Sequence, residues 1–145
     1  NEKFYIPENV YIIGTMNDID RSVESFDFAM RRRFRFVEVR AEDTQYMLEL
    51  LDDEELKAEA IARMDKLNAE IVRVPDLNEN YQIGASYFLK LKVLGFDELW
   101  TDYLQPLLQD YVCGLNNEED CMKRFARAYG YTATDEGDSD EADIN

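Results

Sequence analysis

Two features of the 145-residue chain have the residue types and spacing for chemistry: a lone amide, Asn17, and the triplet Arg31-Arg32-Arg33. Asn17 closes the run Val10-Tyr11-Ile12-Ile13-Gly14-Thr15-Met16. An uncharged amide beyond the carboxyl end of a buried strand can orient a water or a phosphate oxygen without taking its proton. The same amide serves equally well to cap a turn, and the residue alone does not choose. The arginines admit three readings: a cap on a helix C-terminus, a reach to a phosphate on a neighbouring subunit, or a nucleic-acid or nuclear-localisation patch. Nearby acidic residues weaken the last of these.

Other chemistries are narrowed by what is missing. There is no histidine, which removes Ser-His and Cys-His nucleophile systems within this chain and leaves zinc only a Cys/carboxylate site. Cys113 and Cys121 stand eight positions apart with no C-x-x-C pair and read as reduced structural thiols, so no metal is expected. Neither a G-x-x-x-x-G-K-[ST] loop nor an apolar strand ending in Asp-Glu is present.

The elements that would position these groups follow from hydrophobic period. Val10–Gly14 is short, β-branched and aromatic, and predicts a buried strand; Phe34–Val39 alternates charged and apolar residues and predicts a second. Between them, Val23, Phe26 and Met30 have helical spacing, with Ser22 as the cap and the arginines at the end. After residue 41 the period is helical throughout. Met47, Leu48 and Leu51 predict one helix, and Leu56, Ala60, Ile61, Met64, Leu67 and Ile71 a second, joined near Asp52. A loop over 74–80 leads to a short helix over 85–91, and another helix opens at Phe96. Pro106 is expected to start a fresh helix, and a last one containing Met122, Phe125 and Tyr129 is closed by Gly130. Trp100, Tyr103, Phe125 and Tyr129 are assigned to the core. The fold class is thus mainly α with two short β-strands.

Charge divides the chain. Residues 1–40 hold seven basic and seven acidic residues, leaving nine basic and twenty-five acidic for the rest, so the whole net charge of −16 lies after residue 40. Wholesale nucleic-acid binding by that part is disfavoured. From about Thr132 the chain offers six carboxylates and little to bury, which predicts a disordered acidic tail over 132–145. Apolar runs are too short to span a membrane and no signal peptide opens the chain, so the expected location is cytoplasmic.

Taken together, Tyr5–Ser22 followed by Asp27-Phe28-Ala29-Met30-Arg31-Arg32-Arg33-Phe34 resembles the sensor-1 to arginine-finger region of McrB-type AAA+ NTPases, the nucleotide-driven motors of methylation-dependent restriction systems. Gln82-Ile83-Gly84-Ala85-Ser86-Tyr87-Phe88 and Leu99-Trp100 through Leu108 resemble that family's lid helices. The resemblance implies that residues 1–40 are the rear of an AAA+ α/β core and 41–131 a helical lid. It makes Asn17 the sensor-1 residue and puts Asp20 and Arg21 on the signature loop. Asp27 falls on the acidic position before the finger, and Arg33, then Arg32, is the finger acting on nucleotide held by the next subunit. Gly84 and Ser86 become lid contacts to nucleotide. The family further implies GTP or ATP with Mg2+ in an intact parent, a hexameric ring of that parent, a McrC-like nuclease subunit and DNA read by another domain. Three departures stand out: Asp18-Ile19 replaces Thr-Ala, Ala85 replaces a common His, and Tyr87-Phe88 supplies no sensor-2 arginine.

On this reading both Walker segments lie upstream, the stretch alone neither binds nucleotide tightly nor hydrolyses it, and the two strands flank a missing P-loop strand. They are then expected to re-pair within the chain or to exchange between copies. Two other readings are a MoxR-like remodelling ATPase segment and a non-enzymatic helical protein-interaction module with acidic faces.

Overall fold

The structure is a computed structural model that describes residues 5–16 and 28–132. The chain divides into two units, residues 1–36 and 37–145, each described by itself.

In the first unit the described residues form one helical turn, α1 (Phe28–Arg31), and otherwise irregular chain. The expected strand over 10–14 is not formed. Tyr11 and Ile13 are exposed, and the Val10 N–H, donating to the Pro7 carbonyl at 3.2 Å, closes a turn. The second expected strand, over 34–39, is likewise absent, with Phe34, Phe36, Val37 and Val39 all exposed. Alternation prepares one face for burial, but a strand exists only when a neighbour completes its ladder. No described segment does so, and the expected re-pairing is not seen among the described residues.

The second unit is a helical bundle. A 3-10 segment (Glu42–Leu50) stands where the first lid helix was expected and buries Leu48. The long helix α2 (Glu54–Val72) starts at Asp53, whose carboxylate accepts the Glu55 and Leu56 N–H groups at 2.8 and 3.0 Å. Its buried stripe is Ala60, Met64, Leu67, Asn68 and Ile71, helical in spacing but with one amide in it. After a 3-10 turn (Glu79–Tyr81) come α3 (Ala85–Phe88) and a further 3-10 turn (Leu89–Lys92).

Next, α4 (Phe96–Leu99), a π-helical turn (Trp100–Leu104) and α5 (Gln105–Val112) follow without a break. Pro106 therefore does not open a separate helix. Leu99, Trp100, Leu104 and Gln105 all keep right-handed helical torsions, and the Gln105 N–H reaches back to the Trp100 carbonyl, five residues away. The widened turn just before the proline accommodates a residue that lacks an N–H and crowds the preceding turn.

The last helix, α6 (Glu118–Tyr129), carries three acidic residues in its first turn, where the helix dipole favours them, and buries Cys121, Phe125 and Tyr129. Gly130, at φ +85°, ends it: its N–H and that of Tyr131 return to the Arg127 and Ala126 carbonyls. α2 and α6 run antiparallel, since Glu70 pairs with Arg124 while Arg63 approaches Gly130.

Trp100 stacks on Tyr129 and on Tyr131, with centroids 5.1 and 5.7 Å apart, and the Tyr129 hydroxyl donates to the Phe96 carbonyl at 2.8 Å. Trp100, Phe125 and Tyr129 are core, as expected. Tyr103 is not: it is 38% exposed on the outer side of the π turn, under the Lys90 ammonium at 4.2 Å. The acidic tail from residue 133 lies outside the described residues.

Candidate functional site

The candidate residues fall in both units. Asn17, Asp20, Arg21 and Asp27 lie outside the described residues. Of the arginine triplet, Arg31 closes α1 and holds its guanidinium over the Phe36 ring at 5.6 Å. Arg32 and Arg33 occupy the turn that follows, both exposed and neither ion-paired with another described residue. A guanidinium is planar and always charged. Two exposed ones at a turn can meet an anion presented from outside.

In the second unit the candidates Gly84 and Ser86 belong to a segment pinned from two directions. The Asn68 side chain, only 6% exposed, donates from Nδ2 to the Ile83 carbonyl at 2.9 Å and accepts the Ile83 N–H on Oδ1 at 2.7 Å. One amide thus satisfies both backbone groups of a residue that is 1% exposed. On the other side, Thr44 Oγ1 accepts the Ala85 N–H at 3.0 Å while donating to the Ala41 carbonyl at 2.6 Å. Gly84, partly buried and in extended conformation at φ −81°, bridges the two anchors, and Ser86 is exposed in the first turn of α3. Ala85 is fully buried, so a larger side chain there would have to open the packing.

Asn68 and Thr44 were not singled out from the sequence. The signal for Asn68 was present: it stands four residues after Met64 and three before Ile71, on the apolar stripe, where an amide must find partners. Thr44 gave none, because its partner lies 41 positions away.

Elsewhere the bundle offers little for covalent or metal chemistry. Cys121 is buried, which pushes its thiol up, and Cys113 is exposed; neither is in a disulfide. Among the described residues no group of His, Cys, Asp and Glu could hold a metal ion, and no helix is long and apolar enough to cross a membrane.

Comparison with known proteins adds two findings. Residues 59–119, from α2 to the start of α6, match the family described as McrB, alpha-helical lid domain. The chain is also 40% identical, over 123 residues, to the type IV methyl-directed restriction enzyme EcoKMcrB subunit of Escherichia coli strain K12. That similarity covers 76% of this chain and 27% of the relative, so the chain spans about a quarter of that protein's length. No solved structure matches. The lid match falls on the anchored segment and the helices around it, and over this stretch the chain is similar to the McrB helical lid.

Proposed function

We propose that this chain forms the rear of an AAA+ motor of a methylation-dependent restriction system, with residues 1–40 ending the nucleotide-binding core and 41–131 forming its lid. The observation that carries the reading is the 40% identity to a subunit described as a methyl-directed restriction enzyme, together with the lid match. Asn17 would orient the attacking water at the γ-phosphate, and Asp27 would support the finger helix. Arg33, with Arg32 beside it, would stabilise charge on nucleotide bound by the next subunit in a hexameric ring; their exposure in the turn after α1 suits such a reach. Asp20, Arg21, Gly84 and Ser86 would line the nucleotide, with GTP favoured over ATP and Mg2+ supplying charge neutralisation when bound. A McrC-like nuclease subunit and a separate DNA-reading domain complete the proposed assembly in the cytoplasm.

The role assigned to the lid follows from its anchors. Because the Asn68 and Thr44 hydrogen bonds fix Ile83 and Ala85 to the bundle, movement of the lid would carry Gly84 and Ser86 with it as one body.

The test is hydrolysis of GTP and of ATP, each with magnesium, by the intact parent protein and its Arg33→Ala form. The expected result is GTP turnover that falls on the order of 10³-fold in the variant, the usual size of an arginine-finger effect, and recovers partly in mixed rings. Turnover of ATP alone would favour a remodelling ATPase. Unchanged GTP turnover in Arg33→Ala and Arg32→Ala would remove the finger assignment.

A further inference from the structure

The α2–α6 face reverses the charge of the unit it belongs to. Residues 37–132 carry ten Lys and Arg against twenty Asp and Glu. One groove of ≈ 370 Å³ between these helices nevertheless gathers Arg63, Lys66, Arg73 and Arg127 with only Glu59 and Glu70. Both carboxylates are already engaged. Glu59 pairs with Arg63 at 2.7 Å, and Glu70 with Arg73 and, at 2.8 Å, with Arg124. Arg63 is fixed further by lying over the Phe96 ring at 4.2 Å. Lys66 and Arg127 make no ion pair with any described residue. The groove therefore keeps a positive surplus on a strongly acidic bundle.

The structure also indicates what could cover it. Gly130 lines the groove, and the chain beyond is held at its exit, with the Tyr131 N–H on the Ala126 carbonyl at 2.9 Å and its ring stacked on Trp100. Thr132 is the last described residue, and positions 133–145 hold Asp135, Glu136, Asp138, Asp140, Glu141 and Asp143 with no Lys or Arg. From Arg63 to Arg73 the groove follows ten residues of α2, about 15 Å at the helical rise. An extended chain covers about 3.3 Å per residue, so Asp135 lies within about 17 Å of Gly130. Tethering supplies an effective concentration in the mM range, so that several contacts, each weak, can act together.

We propose that the acidic segment 133–145 docks in this groove of its own chain, pairing its carboxylates with Lys66 and Arg127 and extending toward Arg73. The segment thereby occupies a basic surface that would otherwise be open to other polyanions. This assignment is independent of the nucleotide chemistry proposed above.

The test is paramagnetic relaxation in the full chain, with a nitroxide on Ser139→Cys in a Cys113→Ser background; Cys121 is buried and takes no label. The expected result is selective broadening of the Lys66, Ala69 and Arg73 amides, which lie along the groove away from the tether at Gly130, at about 50 mM salt and its loss at about 0.5 M, where charges are screened within a few ångströms. Broadening should also vanish in Lys66→Glu/Arg127→Glu, and in a full-length form whose six tail carboxylates are amides, which leaves the groove untouched. Absence of broadening at low salt would overturn the proposal, as would broadening indifferent to both charge changes. So would broadening seen only between labelled and unlabelled chains, which would assign the groove to a second copy's tail. Groove amides that respond to added single-stranded DNA but not to the tail label would overturn it in favour of a nucleic-acid site.

Discussion

Replacing Asn68 with Ala should unlock the segment that carries Gly84 and Ser86. The substitution removes two hydrogen bonds and leaves the N–H and C=O of Ile83, a residue 1% exposed, without partners. An unsatisfied buried group costs about 1–3 kcal/mol, so the pair predicts a loss of about 2–6 kcal/mol. With a mid-range urea dependence of about 2 kcal/mol per molar, the unfolding midpoint should fall by roughly 1–3 M at an unchanged slope. Hydrogen exchange at the Ile83 amide should accelerate more than exchange in the middle of α2.

Asn68→Asp sharpens the test. It keeps an acceptor for the Ile83 N–H but turns a carboxylate oxygen toward the Ile83 carbonyl, so burial and repulsion raise the folded-state pKa of the new acid above its unfolded value. A raised pKa contributes stability that is complete below the unfolded pKa and is lost as pH rises through the folded one. The deficit of Asn68→Asp should therefore be smaller near about pH 4 than near about pH 7. An Asn68→Ala cost below about 0.5 kcal/mol, the range of a surface substitution, would refute the anchoring argument.

Thr44→Val should cost about 1–2 kcal/mol, and its double-mutant cycle with Asn68→Ala should show coupling in urea unfolding, because both residues hold the same backbone segment. Arg63→Ala should lower stability by about 1–2 kcal/mol through loss of the contacts over Phe96 and Tyr129, and Arg63→Lys should restore only part of it in thermal unfolding. Gly130→Ala should cost about 1–2 kcal/mol, since φ +85° is a strained conformation for any residue with a side chain. Glu70 is held below the usual carboxylate range by its hydrogen bonds to Arg124 and then by Arg73. Its contribution is present above the unfolded pKa and is lost as pH falls through the lower folded one. The advantage of the wild type over Glu70→Gln should thus shrink below pH 4.5, measured by urea midpoints across that range.

The sequence made α2 and α6 legible because each carries its own punctuation: the Asp53 cap, an apolar stripe of helical period and the Gly130 stop are all local. The expected strands were illegible for the opposite reason. Val10–Gly14 and Phe34–Val39 have strand chemistry, but the ladder that would make them strands belongs to whatever pairs with them. Tyr103 was misassigned because the helical period was extrapolated through a turn that is not α-helical. For the candidate site, the pattern of residues carried the family resemblance, and the comparisons bore out its lid. The two anchors of that lid depend on contacts 15 and 41 positions apart, which no local pattern announces.

The widened turn before Pro106 also acts as a phase correction. Trp100, Leu104, Leu108 and Val112 are all buried and are spaced by fours, whereas regular α-helix advances about 100° per residue and would overshoot by about 40° at every step. A looser first turn takes up part of that drift, so the four side chains keep facing the same neighbours along the helix. Deleting one residue between 100 and 104 would leave a plausible helix whose downstream half points the wrong way. The length of this segment is accordingly as constrained as its composition.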